Sequence, residues 1–229
     1  MLEEKKESPL GKQVLIRDKV RDYLNNAIVT GELEPETRIV ETKLAKELGV
    51  SQAPVREALC DLESRGLVVS IPYQGTYVRK ITPKDMRDVY TVRIGLEKLA
   101  LEEIKPNSIT DSRINQLRII LDNMIKAGSM NDFDNYIKYD YDFHFNIIKC
   151  SDNQFLIRLW EQSHMLDWIR SGTKLLGKSN LEELASRHSK IYEALASKNL
   201  EVTYNAMKEH LDELLVVIYE KNTESKENS

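Results

Sequence analysis

Cysteine is nearly absent from this chain: Cys60 and Cys150 are the two in 229 residues, and they stand ninety positions apart. That excludes a disulfide framework and a paired-cysteine metal site, so both are expected to be reduced and structural. No apolar run approaches the ~20 residues a membrane span needs. The longest, Leu214-Leu215-Val216-Val217-Ile218, sits inside a charged segment. The first residues, Met1-Leu2-Glu3-Glu4-Lys5-Lys6-Glu7, mix both charge signs and lack the apolar stretch and cleavage site of a secretory signal. A soluble, cytoplasmic protein is expected. Excess positive charge is missing too. The chain has 33 Lys+Arg against 37 Asp+Glu, and residues 1–80 balance at 13 of each, so the net −4 falls on the second part. Net charge therefore nominates no nucleic-acid partner, and such an assignment must rest on particular residues. What is present is 41% hydrophobic residues, enough over this length for one large domain or two small ones.

Composition and periodicity change near residue 80. Before it, short helical segments precede two β-rich runs, Leu67-Val68-Val69-Ser70-Ile71 and Thr76-Tyr77-Val78-Arg79, joined by Pro72-Tyr73-Gln74-Gly75 as a hairpin with Gly75 at its tip. After it glycine is scarce, no convincing strand is found, and helix starts are marked. Thr82-Pro83-Lys84-Asp85 has a cap, a first-turn proline and an acid three residues on; Ser179-Asn180-Leu181-Glu182 reads as a capping box. Asn131, Asp152 and Asn199 are further candidate caps. Helices are expected near 83–104, 111–127, 132–150, 153–176, 180–197 and 200–221. The expected organisation is an N-terminal tail at 1–14, a small domain at 15–80, an all-helical bundle at 83–221 and a C-terminal tail at 222–229, a mainly α protein.

In the first domain, Leu44-Ala45-Lys46-Glu47-Leu48-Gly49-Val50-Ser51 is a short helix, a glycine stop and a new cap. That is a helix-turn-helix pattern. Ser51 caps the second helix, Pro54 is tolerated in its first turn, and Val55, Ala58, Leu59 and Leu62 form its buried stripe. Gln52, Ala53 and Arg56 are left facing outward. In such a motif the start of the second helix enters the major groove, where Arg donates twice to a guanine edge and Gln pairs with adenine. The hairpin would be the wing of a winged helix, with Arg79 and Lys80 near phosphates. The alternative is a three-helix packing module with ordinary surface charges.

The residues Thr30-Gly31-Glu32-Leu33-Glu34-Pro35, Leu44-Ala45 through Val50-Ser51, Pro54-Val55-Arg56-Glu57-Ala58-Leu59, Leu62 through Gly66-Leu67-Val68 and Gly75 resemble the GntR family of bacterial transcriptional regulators. The resemblance runs unbroken over about residues 15–80. It implies a winged helix-turn-helix whose Arg56 and Gly75 contact DNA, with Ser51 at the helix entrance. Two positions depart from the family's usual pattern: Gln52 stands where Arg is common, and Glu36 where Gly is. The first bears on the operator sequence, not the fold.

In the second domain, Phe133, Tyr136, Ile137, Asp140, His144, Ile147 and Ile148 share helical spacing, so an acid and a histidine four residues apart lie on an apolar stripe. A buried ionised Asp is costly unless it is paired or ligates metal. His188 belongs to the stripe Leu181, Leu184, Ala185, Ile191, Leu195, and His210 to Thr203, Met207, Leu214, Val217. Three of four histidines thus point inward from three helices. Helical bundles build metal sites from facing helices in this way, and a neutral polar network is the other reading. Arg93 shares a stripe with Met86, Val89, Tyr90, Glu97, Ala100 and Ile104. It either clamps a ligand carboxylate or makes an internal ion pair with Glu97 or Asp140. His164 is read as a surface or rim residue, Trp160 and Trp168 as core or interface aromatics.

Arg93 with Glu97, Asp140 before Phe143-His144, Asn153, His188 ahead of Ile191 and Ala194, and His210 are similar to the FCD ligand-binding domain of the FadR branch of these regulators, over roughly 83–221. The resemblance implies one divalent metal ion per chain, held by Asp140, His144, His188 and His210, with a small organic acid completing its coordination. Such a mixed nitrogen and oxygen site suits zinc, nickel or manganese. A homodimer on a palindromic double-stranded operator is expected, because one recognition helix reads only a few base pairs and two-fold protein symmetry demands a two-fold site; no membrane and no catalysis are expected. The function expected is a DNA-binding regulator responding to a small carboxylate effector through the metal, with Arg93 meeting the effector. Two alternatives stay open: the metal is itself the signal, or the bundle is a metalloenzyme with a DNA-binding appendage, although no general base is placed for one.

Overall fold

The computed structural model describes residues 9–105, 107–176 and 180–227, with side chains between 15 and 220. The chain divides at Ile81/Thr82 into two compact units. The first holds α1 (Pro9–Thr30), β1 (Arg38–Ile39), α2 (Glu41–Leu48), α3 (Gln52–Ser64), β2 (Val68–Ile71) and β3 (Gly75–Val78). Its sheet is antiparallel in the order β1-β3-β2, with Ile71 opposite Gly75 and Ile39 opposite Thr76. Val20 and Leu24 of α1, Leu44 and Ala45 of α2, Val55, Ala58, Leu59 and Leu62 of α3 and Val68 and Val78 of the hairpin make one buried core. Between α2 and α3 the chain turns through Gly49, whose φ of +65° is the left-handed conformation a glycine adopts cheaply; the next amide, Val50, bonds back to the Ala45 carbonyl at 3.0 Å.

Four expectations need correction here. Ser51 occupies the N-cap position of α3, but its side chain accepts no capping hydrogen bond. A cap accepts from the second or third helical amide, and the third residue of α3 is Pro54, which has none. Gly75 is not the hairpin tip: the Gln74 amide bonds to the Ile71 carbonyl at 3.0 Å, closing a turn around Pro72 and Tyr73, and Gly75 is the first residue of β3. The segment 1–14 is not all tail, since α1 opens at Pro9, a residue suited to the first helical position. Residues 1–8 lie outside the described ones. Likewise α11 runs through the expected tail to Glu227, no glycine or proline following Gly177 to stop it. Glu36, where the resemblance anticipates glycine, has a φ of +69°.

In the second unit every regular element among the described residues is a helix: α4 (Pro83–Glu103), α5 (Asp111–Ser129), α6 (Phe133–Lys149), α7 (Gln154–Gln162), α8 (Met165–Leu175), α9 (Leu181–Ser186), α10 (His188–Ala196) and α11 (Leu200–Glu227). Thr82 and Asp85 form a reciprocal capping box, and Asn199 accepts from the Val202 amide at 3.1 Å. Asn131 and Asp152 are not caps. They take left-handed φ values of +53° and +55°, and the following residues, Asp132 and Asn153, cap α6 and α7. Asn180 caps α9, while Ser179 lies outside the described residues.

Two expected helices are each split. The 153–176 helix breaks at His164, whose φ is +51°. No proline or glycine announces this break; it lets α8 dock Gly172 onto α4, where an added Cβ would lie 2.5 Å from Tyr90 Oη. The 180–197 helix breaks at Arg187, where the Leu184 and Ala185 carbonyls accept from the His188 ring instead of only from backbone amides. Gly128 seats α9 against α5 in the same way: an added Cβ would lie 2.7 Å from the Leu181 carbonyl oxygen. No described helix is long and apolar enough to cross a membrane.

Candidate functional site

Four helices of the second unit deliver its polar cluster. Asp140 and His144 lie one turn apart on α6, His188 opens α10, His210 projects from α11, and Arg93 and Glu97 come from α4. All six are buried. Ligand-type atoms of Asp140, His144, His188 and His210 all lie within 4.8 Å of one another. The His188 and His210 rings have centroids 4.3 Å apart, His144 stacks on His210 at 5.9 Å, and Phe143 meets His144 and His188 edge-on.

Hydrogen bonding sorts the ring nitrogens. Nδ1 of His144 is 3.0 Å from Oε2 of Glu97, whose Oε1 accepts from Nε of Arg93 at 2.9 Å. Burial by itself raises the Glu97 pKa, but His144 and Arg93 bring it below the ordinary carboxylate value. An ionised carboxylate can only accept, so the His144 proton resides on Nδ1 and the Nε2 lone pair turns into the cluster. Nδ1 of His188 lies 3.2 Å from the Leu184 and Ala185 carbonyls, again pure acceptors. Its Nε2 lone pair then faces Oδ2 of Asp140 at 3.2 Å, outside hydrogen-bond geometry. Two acceptors that close repel unless a cation sits between them. Nε2 of His144 and both ring nitrogens of His210 are also buried without a hydrogen-bond partner.

Burial pushes the His210 imidazole well below its usual pKa, helped by His188 and His144, and burial and then Arg93 lower His144. Burial alone raises Asp140, yet its charged surroundings, the Arg93 guanidinium among them, hold it far below the carboxylate range. Deprotonated imidazoles around an ionised Asp are the state a cation requires of its ligands. Orphaned buried nitrogens are costly in a neutral network; gathered beside a carboxylate, they fit a divalent ion.

Arg93 is 1% exposed, and its Nη2 is 3.4 Å from Oδ1 of Asp140. The contacts present are those of the internal ion pair, made with Glu97 and Asp140 together. From the sequence, Glu97 is expected only as a partner for Arg93. Its place one turn beyond Arg93 on the same inward stripe was the available signal, but nothing in the sequence says that a carboxylate on α4 meets a ring on α6. His164 is the half-buried cap residue of α8; Trp160 is fully buried and Trp168 half-buried.

In the first unit, Ser51, Gln52, Ala53 and Arg56 are exposed along the start of α3. Arg56 donates from Nε and Nη2 to Oε2 of Glu41, each at 3.2 Å. Gly75 has a φ of +114°, and an added Cβ there would lie 3.1 Å from Nε of Arg38. Arg79 follows β3 and is half-buried. Tyr73, at the turn, is fully exposed with a φ of +64°.

Residues 16–78 match the gntR family of bacterial regulatory proteins, and residues 88–213 match the FCD domain. The HTH-type transcriptional regulator YdhC of Bacillus subtilis is 31% identical over 194 residues, 83% of each chain. The gluconate operon transcriptional repressor of Bacillus licheniformis is 25% identical, over 83% of this chain and 80% of its own length. Among solved structures, McbR/YncC of Escherichia coli superposes with a TM-score of 0.69 at 23% identity, covering 90% of this chain and 98% of its own. Such a likeness shows the fold alone: a small unit of helices with a three-stranded sheet, then a helical domain.

Proposed function

This chain belongs to the gntR family of bacterial regulatory proteins, with an FCD domain following its DNA-binding unit, and from that premise we propose a regulator that senses a small organic acid through one bound divalent metal ion. Its relatives are transcriptional regulators rather than enzymes. The observation that carries the proposal is the buried set Asp140, His144, His188 and His210 with ligand-type atoms within 4.8 Å and ring nitrogens left without partners. These four residues would hold the ion, and zinc, nickel and manganese all suit such donors. Bound there, it would act as a Lewis acid centre that attracts an anionic oxygen.

Charge favours an acid as effector. With neutral imidazoles, Arg93, Glu97 and Asp140 leave the buried cluster at −1, so a divalent cation brings it to +1 and a monocarboxylate closes it to zero. Neutralising a buried site in this way avoids an uncompensated charge. Arg93 supplies positive charge beside Asp140, which steers the carboxylate while Glu97 keeps the Arg93 side chain in place.

For DNA we assign the reading surface to Ser51, Gln52, Ala53 and Arg56 of α3, with Gly75 and Arg79 of the wing beside the backbone. Two-fold protein symmetry demands a two-fold site, so a homodimer on a palindromic duplex is the working assembly. Val92 and Leu99 on α4 and Phe155 and Leu159 on α7 are exposed apolar side chains on two packed helices, the kind of surface a second copy covers.

Elemental analysis and native mass spectrometry of the purified protein, followed by titration of small acids onto metal-loaded and metal-stripped samples, test the sensor. Acid binding confined to the loaded form is expected. Metal binding without any acid response would assign the signal to the metal itself. Protein that takes up no zinc, nickel or manganese would overturn the reading.

A further inference from the structure

Arg56, the exposed arginine of the recognition helix, is already engaged. Its Nε and Nη2 both donate to one oxygen of Glu41, the first residue of α2 and fifteen positions earlier, at 3.2 Å each. The Arg56 side chain is 65% exposed and that of Glu41 31%, so the carboxylate sits lower on the surface and the guanidinium stands above it. An ion pair this open to solvent does little for stability. The two helices are already joined by buried Leu44 and Ala45 against Val55, Ala58 and Leu59. The pair therefore has a consequence other than holding the fold: it restricts the orientation of a long side chain.

A guanidinium has five N–H donors on three edges. Glu41 takes the Nε/Nη2 edge. That leaves Nη1 and the second hydrogen of Nη2 on an edge turned from the carboxylate, the pair of donors that reaches O6 and N7 of guanine. We propose that Glu41 is a positioning residue of the DNA-reading surface, holding Arg56 by one edge so that the opposite edge meets a guanine. The proposal rests on reading Arg56 as a base contact. A carboxylate near DNA also repels phosphate, so Glu41 lowers affinity for duplexes that offer no guanine at that place.

The test starts from a duplex selected by the wild-type protein out of a random pool. Affinity for it, for versions with each guanine replaced, and for a random duplex is measured for wild type, Glu41→Gln, Glu41→Asp, Arg56→Ala and the Glu41→Gln/Arg56→Ala double variant. Thermal midpoints confirm that each is folded. Glu41→Gln is expected to bind the selected duplex about tenfold more weakly, part of what a bidentate pair contributes, while binding random DNA as well as or better than wild type. Glu41→Asp should fall between, and in the Arg56→Ala background the Glu41→Gln loss should vanish. Equal tightening of Glu41→Gln on both duplexes, or a loss that persists without Arg56, would overturn the positioning role alone. If Arg56→Ala weakens selected and random DNA equally, Arg56 is a phosphate contact, and the base-contact reading falls together with this one.

Discussion

Nδ1 of His144 lies 3.0 Å from Oε2 of Glu97, a carboxylate whose other oxygen accepts from Arg93 at 2.9 Å. The chain of contacts, supplied by the neighbouring helix α4, fixes one ring tautomer on α6 and hands the Nε2 lone pair to the cluster. An outer carboxylate of this kind typically changes metal affinity by about 10–100-fold.

Glu97→Gln is accordingly expected to weaken metal binding by about 10–100-fold, with the helical fold kept. Competition against a chromophoric chelator, alongside circular dichroism, measures both. Unchanged affinity would remove Glu97 from the metal's support.

Stripping the metal should lower the thermal midpoint, since the unfolded chain holds the ion poorly; at a hundredfold excess over Kd the ion contributes about 2.7 kcal/mol. His188→Ala and His210→Ala should each deplete the metal on elemental analysis. In the stripped protein, acid should be further destabilising. The folded pKa of His210 is depressed well below the ordinary imidazole value of 6.5, so the unfolded chain binds more protons in that window. Stability therefore rises with pH there and is lost as pH falls from about 6.5 downward. Urea midpoints across pH 5–8 should show this slope, and a flat profile would contradict a neutral buried His210.

Arg93→Ala should cost about 3–5 kcal/mol, because it strips a buried counter-ion from Glu97 and Asp140 at once. Urea denaturation reads this directly. A variant as stable as the parent would return Arg93 to a role confined to the effector.

Gly128→Ala and Gly172→Ala should differ. At Gly172 the new Cβ meets the ends of Tyr90 and Met86, which can shift; at Gly128 it meets the backbone of Leu181 and Glu182, which cannot without moving α9. The first should cost about 1–3 kcal/mol and the second more. Since α9 leads directly into His188, Gly128→Ala should also weaken metal binding.

Much of this was legible in the residues themselves. The helix-turn-helix reads from Gly49, Pro54 and the apolar stripe of α3, and the inward histidines from 3.6-residue periodicity, because both depend on neighbours within one or two turns. The resemblance over about residues 15–80 and 83–221 adds an expected role for the site residues. The capping of α3 departs from expectation for a local reason: the sequence by itself contains both Ser51 and Pro54, which removes one of the amides a cap would use. What lies between elements was not legible. The break at His164, the Glu97–His144 bond, the hold of Glu41 on Arg56 and the reach of Arg93 across to Asp140 all depend on which helices pack together and at what angle. Periodicity determines which way a side chain faces, and only close packing in three dimensions decides what it meets there.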